Sequence, residues 1–168
     1  SRVQKSNPAY FFMDTNYNSV FLSTAYWAPV QYFTKIISFG KHNIETCEIY
    51  QKQSYRNRCE IYGPNGKQSL FIPVLRGSFH KTYIRDIKIS YDTLWQKNHL
   101  KSIEAAYRSS PFYEYYIDDI LPFYNKKYTF LLDYNNEILQ TCKKWLSINC
   151  ETLFTLKYHA NVDGIDMR

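Results

Sequence analysis

Apolar and polar positions alternate at period two in the first half of the chain and at helical spacing in the second. "SVFLSTAYW" (19–27) is a short, nearly continuous apolar run, which predicts a buried strand. In "PVQYFTKIISFG" (29–40), Pro29 stands at a helix start, Val30, Phe33, Ile36 and Ile37 share one face, and Gly40 supplies a stop. "IETCEIY" (44–50) predicts a second strand. "RCEIYGPNGKQSLFIPV" (58–74) predicts a β-hairpin with strands near 58–62 and 68–74, because Gly63-Pro64-Asn65-Gly66 offers a turn between alternating runs. "IRDIKIS" (84–90) predicts a further strand with Ile87 and Ile89 on one face.

From residue 92 the period changes. Asp92 is placed to cap a helix running to about Ser109, in which Trp95, His99, Ile103 and Ala106 form the buried face and Lys97 and Lys101 the exposed one. Pro111 ends that helix and opens a short one, "FYEYYIDDIL". A long helix follows over about 129–148, with Leu131, Tyr134, Ile138, Cys142 and Trp145 on its apolar side, and "TLFTLKY" (152–158) returns to strand. Strands first, helices next and a closing strand predict an α+β (mixed α/β) fold: a small, mainly N-terminal β-sheet with a hairpin at about 58–74, packed against C-terminal helices. With no internal repeat or linker, residues 1–168 are expected to form a single domain.

Composition narrows the function classes. Tyrosine fills 17 of 168 positions and aromatics make up 18%, which favours half-buried walls of clefts and contact surfaces. The formal charge of +6 favours anionic partners, but the cations are dispersed, without the continuous basic stripe expected of a nucleic-acid binder. Cys47, Cys59, Cys142 and Cys150 are irregularly spaced and include no CxxC, so reduced thiols and a cytoplasmic location are expected. The opening "SRVQKSNPAY" has no apolar h-region, and the uncharged stretch from Thr15 to Thr34 holds too many polar groups for a membrane span. GxGxxG, GxxxxGK[ST], GxSxG and HExxH are all missing, and the four histidines do not have metal-ligand spacing.

What remains is "YQKQSYRNRC" (50–59). If 50–62 is extended, Cys59 and Ile61 point inward with Tyr55 and Asn57, while Lys52, Arg56 and Arg58 line the other face with Glu60. Three cations at period two suit a phosphate or carboxylate. The competing reading is that Arg58 pairs with Glu60 or a neighbouring glutamate on a solvated face. His99, one turn from Trp95, is either a hydrogen-bonded core residue or, if it lines a cleft, a general base. Cys59 is either a small core hydrophobe or a thiolate nucleophile activated by the nearby cations. Tyr107, Tyr113, Tyr115 and Tyr116 would make a stacking wall or ordinary core packing.

Three stretches resemble the WbqC-like proteins, a bacterial family often encoded in O-antigen and other surface-polysaccharide clusters. "AYWAPVQYF" (25–33) resembles its early Tyr-x-x-Pro-x-x-Tyr-Phe segment. "YQKQSYRNRCEI" (50–61) is similar to its Lys and Asn-Arg segment at Lys52, Asn57 and Arg58. "WQKNHLKSIEAAYRSSPFYEYY" (95–116) is similar to its helix pair at Trp95, His99, Tyr107, Pro111 and Phe112. The likeness covers about residues 20–158. Ser23-Thr24-Ala25 replaces a Gln-Pro common in the family, and many members continue past "NVDGIDMR", so a C-terminal extension is expected to be lacking here.

The resemblance implies an enzyme of surface-polysaccharide biosynthesis, an acyl or aminoacyl transferase acting on a nucleotide- or lipid-linked amino sugar. In that reading Lys52, Arg56 and Arg58 hold a phosphate, Gln51, Gln53 and Asn57 contact hydroxyls, His99 is the base and Cys59 offers a covalent route. No metal or resident cofactor is expected, only an acyl or aminoacyl thioester donor. The partners would be a nucleotide sugar or other anionic small molecule and an acyl carrier protein. The alternative is a non-catalytic sugar-nucleotide-binding or scaffold protein of the same pathway. Either way, Arg56, Arg58, Lys52 and His99 are expected to converge on one concave site.

Overall fold

The computed structural model describes residues 19–75, 82–158 and 164–168. Its centre is a four-stranded, wholly parallel sheet in which Glu151–Phe154, Lys41–Glu45, Ser19–Ser23 and Ile165–Asp166 lie side by side in that order. Strand β1 (Ser19–Ser23) buries Val20 and Leu22, every second residue. Helix α1 (Val30–Ser38) then carries the chain to β2 (Lys41–Glu45), which pairs with β1 from Ser19↔Lys41 to Ser23↔Glu45. Pro29 starts α1 as expected, but the buried face is only Phe33 and Ile36, worth roughly 1.5–3 kcal/mol each. Val30 and Ile37, at its two ends, are exposed.

The hairpin is present. Strands β3 (Arg58–Gly63) and β4 (Gly66–Phe71) pair antiparallel from Arg58↔Phe71 to Gly63↔Gly66 across Pro64-Asn65, with Gly66 at φ 101°. A positive φ there is what glycine permits. Helix α2 (Trp95–Tyr107) lies on the hairpin and buries Trp95, His99 and Ile103, while Ala106 is half-buried and Lys97 and Lys101 are exposed. Asp92 does not cap it: Leu94 is the capping position, and Asp92 instead bonds the Ser90 hydroxyl at 2.8 Å. Helix α3 (Tyr113–Asn125) runs through Pro122 and is longer than the sequence predicts. Helix α4 (Leu131–Trp145) buries Leu131, Tyr134, Ile138 and Cys142 as expected.

One expected strand, 44–50, starts within β2 but ends at Glu45, and another is not a strand. Residues 46–50 leave the sheet because the Glu45 carboxylate accepts the Cys47 N–H at 2.8 Å, diverting the backbone as β2 ends. Residues 84–90 form one 3-10 turn, Ile84–Asp86, followed by isolated bridges. Their backbone groups are claimed by scattered partners: Ile84 donates to Glu48 O, Ile89 to Thr129 O, and Ile87 O accepts from Leu131. Ile84, Ile87 and Ile89 are nonetheless all buried. Strand β5 (Glu151–Phe154) pairs with β2 and ends four residues early. The sequence reading missed β6 (Ile165–Asp166), which pairs with Val20 and Phe21. It approaches β1 so closely that a Cβ at Gly164 would lie 2.8 Å from Ser19 O.

The result is the expected mixed α+β architecture, a mainly N-terminal sheet and hairpin backed by helices. Among the described residues no helix is long and apolar enough to cross a membrane.

Candidate functional site

In open parallel sheets the strands' carboxyl ends are where ligands bind. Here that edge opens into a cleft of about 560 Å³. The end of β1 supplies Ser23, Thr24 and Ala25, the start of α1 supplies Pro29, Gln31, Tyr32 and Lys35, and the end of β6 supplies Met167 and Arg168. The far wall is Gln53, Ser54, Tyr55 and Arg56, continued by Arg58 and Glu60 of β3.

Two buried carboxylates orient two of the guanidinium groups. Glu48 accepts Arg56 Nε at 2.8 Å and Nη2 at 2.5 Å, and Ser23 Oγ joins both partners at 2.9 Å. Glu45 accepts Arg168 Nη1 at 3.0 Å, while Asp166 takes the Nε and Nη2 edge of the same guanidinium. Tyr32 closes the floor by donating to Ser23 O, and burial with the Glu48 charge raises its phenol well above the usual range. Arg58 is half-exposed, 2.8 Å from Ser69 Oγ and 3.5 Å from Glu60.

Backbone conformation is unusual at the same place. Among the described residues three non-glycines have left-handed φ: Trp27 at 41°, Gln53 at 55° and Ser147 at 53°. Ser147 follows the end of α4, where such a residue is ordinary. Trp27 stands between the lining residues Ala25 and Pro29, and Gln53 itself lines the cleft. Strain of roughly 1–3 kcal/mol per residue is thus located at the cleft rim, as at many functional sites.

The WbqC-like protein family matches residues 25–166, a span that includes most of the cleft lining. The chain belongs to the WbqC-like protein family. No curated protein and no solved structure matches it.

The residues singled out in this WbqC-like sequence divide into three groups. Arg56, Arg58 and Gln53 come together in the cleft. Lys52 and Gln51 are exposed outside its lining, because 52–57 is a run of turns rather than an extended strand, closed by Asn57 N–H on Ser54 O. Asn57 is enclosed behind the wall, donating to Ile72 O at 3.0 Å.

Neither His99 nor Cys59 lines the cleft. His99 is buried, with Nδ1 3.0 Å from Tyr26 Oη, and Tyr26 Oη lies 2.9 Å from Tyr124 Oη, which also accepts Trp27 Nε1. Burial lowers the His99 pKa to about 4 against an opposing backbone hydrogen bond at Phe71. Its link to the cleft is indirect: the Tyr26 N–H donates to Tyr55 O at 2.8 Å. Cys59 faces the core, and burial pushes its thiol up to about 12, with the Glu60 charge adding to the rise. The expected lowering by cations does not occur, because burial of the thiol dominates and the neighbouring charge that acts on it is that of Glu60. Tyr107, Tyr113, Tyr115 and Tyr116 are also outside the cleft; Tyr116 packs on Trp145 at 4.9 Å.

The sequence reading missed Glu45, Glu48, Ser23, Lys35 and Arg168. One signal was available: two glutamates within the apolar "IETCEIY" require buried cationic partners.

The amino ends of β2 and β5 hold a different cluster. Thr152 Oγ1 accepts from Lys143 Nζ at 2.9 Å and Gln140 Nε2 at 3.1 Å, so its own hydroxyl donates to His42 Nε2 at 2.9 Å. The His42 proton therefore sits on Nδ1, facing Cys150 Sγ at 3.3 Å. Burial and the Lys143 charge lower His42 to about 4. Burial raises the Cys150 thiol, which also lies 3.3 Å from Gly40 O. All four cysteines are free, and among the described residues no group of three or more His, Cys, Asp or Glu is arranged to hold a metal.

Proposed function

We propose that this WbqC-like chain works in surface-polysaccharide assembly as an acyl or aminoacyl transferase whose cleft holds a nucleotide- or lipid-linked amino sugar by its phosphates. One observation carries the reading: Arg56, Arg58, Lys35 and Arg168 converge at the carboxyl ends of parallel strands, in a cavity sized for such a ligand. Arg58 and Lys35 would meet the phosphates. Gln53, Ser54 and Gln31 would meet hydroxyls, and Tyr55 would stack on a ring. The donor would be an acyl or aminoacyl thioester, free or on an acyl carrier protein, in the cytoplasm. The sugar amine would attack the thioester carbonyl, the thiol would leave, and the amine's proton would pass to solvent or to the leaving thiolate. Catalysis would rest on holding the two reactants together. His99 would serve as a positioning residue through Tyr26 and the Tyr55 backbone.

The second reading, a non-catalytic sugar-nucleotide-binding or scaffold protein of the same pathway, is favoured by the placement of His99 and Cys59 behind the cleft wall. Calorimetry with UDP-glucosamine, followed by mass spectrometry of the sugar after adding acetyl or glycyl thioesters, tests both. Binding with a new amide supports the transferase. Binding without product supports the scaffold, and no binding overturns both.

A further inference from the structure

Glu45 shows no exposed surface, and its two oxygens are used differently. Oε1 accepts Thr155 Oγ1 at 2.6 Å and Cys47 N–H at 2.8 Å, bonds internal to the fold. Oε2 accepts Arg168 Nη1, from a residue that lines the cleft. The Arg168 guanidinium is caged: Glu45 at one edge, Asp166 at another, and the Tyr158 ring 5.1 Å from Cζ. Two carboxylates and an aromatic face around one planar cation are the groups that recognise ammonium and guanidinium ligands.

The cage has a fixed part and a carried part. Asp166 belongs to the same two-residue strand, β6, that brings Arg168 in, and that segment adds one backbone bond from Met167 to Phe21 O. Glu45 is the fixed part, closing β2 in register with Ser23 of the cleft floor, and Tyr158 stands four residues beyond the end of β5. A buried carboxylate that loses its cation is strongly unfavourable, so this position demands a positive group whether or not Arg168 supplies it.

We infer that Glu45 and Tyr158 form a binding subsite for a primary ammonium group of a cleft ligand, and that Arg168 fills it as a built-in stand-in when no ligand is bound. The inference deepens the proposed function, on which its ligand rests: the ammonium is that of an amino sugar or of an aminoacyl donor. It also explains why a carboxylate is concealed behind Arg168 at the edge of a cationic cleft. Arg58 and Lys35 address the anionic end of the ligand, and Glu45 its cationic end.

The test begins without any sugar. Methylammonium chloride should raise the Tm of Arg168→Ala more than sodium chloride does, and the advantage should vanish in Arg168→Ala/Glu45→Gln. If Arg168→Ala does not fold alone, recovery of folded protein in methylammonium but not tetramethylammonium chloride supports the subsite. Equal effects of all salts, or no folding in any, overturn it. Two ligand arms then distinguish the sources, UDP-glucosamine against UDP-N-acetylglucosamine and a glycyl against an acetyl thioester. In Arg168→Ala the free-amine member of one pair should bind at least about tenfold tighter than its capped partner, about 1.4 kcal/mol. A methylammonium effect without preference in either pair would refute the amino-sugar and aminoacyl assignment while leaving the cation subsite.

Discussion

At the carboxyl ends of β1 and β2, guanidinium groups set against Glu48 and Glu45 border an open cleft. At the amino ends of β2 and β5, His42, Cys150, Thr152 and Lys143 hold one another in a closed hydrogen-bonded group. Both ends carry titratable and nucleophilic side chains. They differ in formal charge and access. The amino end keeps imidazole and thiol in neutral forms and turns the Lys143 ammonium onto neutral oxygens. The carboxyl end sets opposite charges in pairs, with Arg56, Arg58 and Arg168 all reaching the cavity wall. Chemically capable residues therefore do not mark a site by themselves; charges held ready beside an open volume do.

The largest effect separating the two ends is on stability. Glu48→Ala leaves Arg56 buried without its carboxylate and should cost about 3–5 kcal/mol in urea unfolding. Lys143→Met, which removes a buried charge from neutral partners, should be near neutral or stabilising. Equal losses would erase the contrast between paired and unpaired burial.

Acid titration gives the next effect. His42 and His99 both fall from 6.5 to about 4 on folding, so the native state disfavours their protons. The stability they contribute is present above pH 6.5 and is lost as pH falls from there through 4, up to about 3 kcal/mol each. His99→Gln and His42→Gln should each remove part of this acid limb. A limb abolished by His99→Gln alone would show that the amino end does not titrate with folding.

Arg58→Ala comes third. It should weaken UDP-glucosamine binding by roughly 1.5–3 kcal/mol, the usual worth of a charge-assisted hydrogen bond. It should change stability by less than about 1 kcal/mol, because its partners Glu60 and Ser69 are exposed. A stability loss equal to the binding loss would make Arg58 a structural residue. The smallest effect is a rate. At neutral pH Cys150 should be alkylated before the three buried cysteines but more slowly than free cysteine, as peptide mapping by mass spectrometry would show.

Legibility in the sequence followed the range of the interactions. The hairpin was readable because Gly63-Pro64-Asn65-Gly66 sets a local turn, and the helix faces because Trp95, His99 and Ile103 recur at helical spacing. The stretches 46–50 and 84–90 looked like strands because their apolar alternation is real, and Ile84, Ile87 and Ile89 are buried. Their backbone partners, however, lie in distant segments such as Thr129 and Leu131. At the cleft, the presence of Arg56 and Arg58 was readable and their setting was not. Gln53 adopts a left-handed turn that period-two counting cannot anticipate. Arg168 reaches Glu45 through the pairing of β6 with β1, two strands far apart in the sequence.

That pairing also bears on when the cleft can exist. Val20 of β1 meets Ile165 of β6, and Met167 and Arg168 complete the wall begun by Ser23 and Thr24. Contacts so far apart in sequence form late, since the intervening chain must be ordered first. A nascent chain on the ribosome can therefore assemble the β3–β4 hairpin and α2 from local segments while β1 still shows an unpaired edge. The cleft wall is therefore incomplete until Met167 and Arg168 have been made, and until β6 pairs the β1 edge is open to another strand.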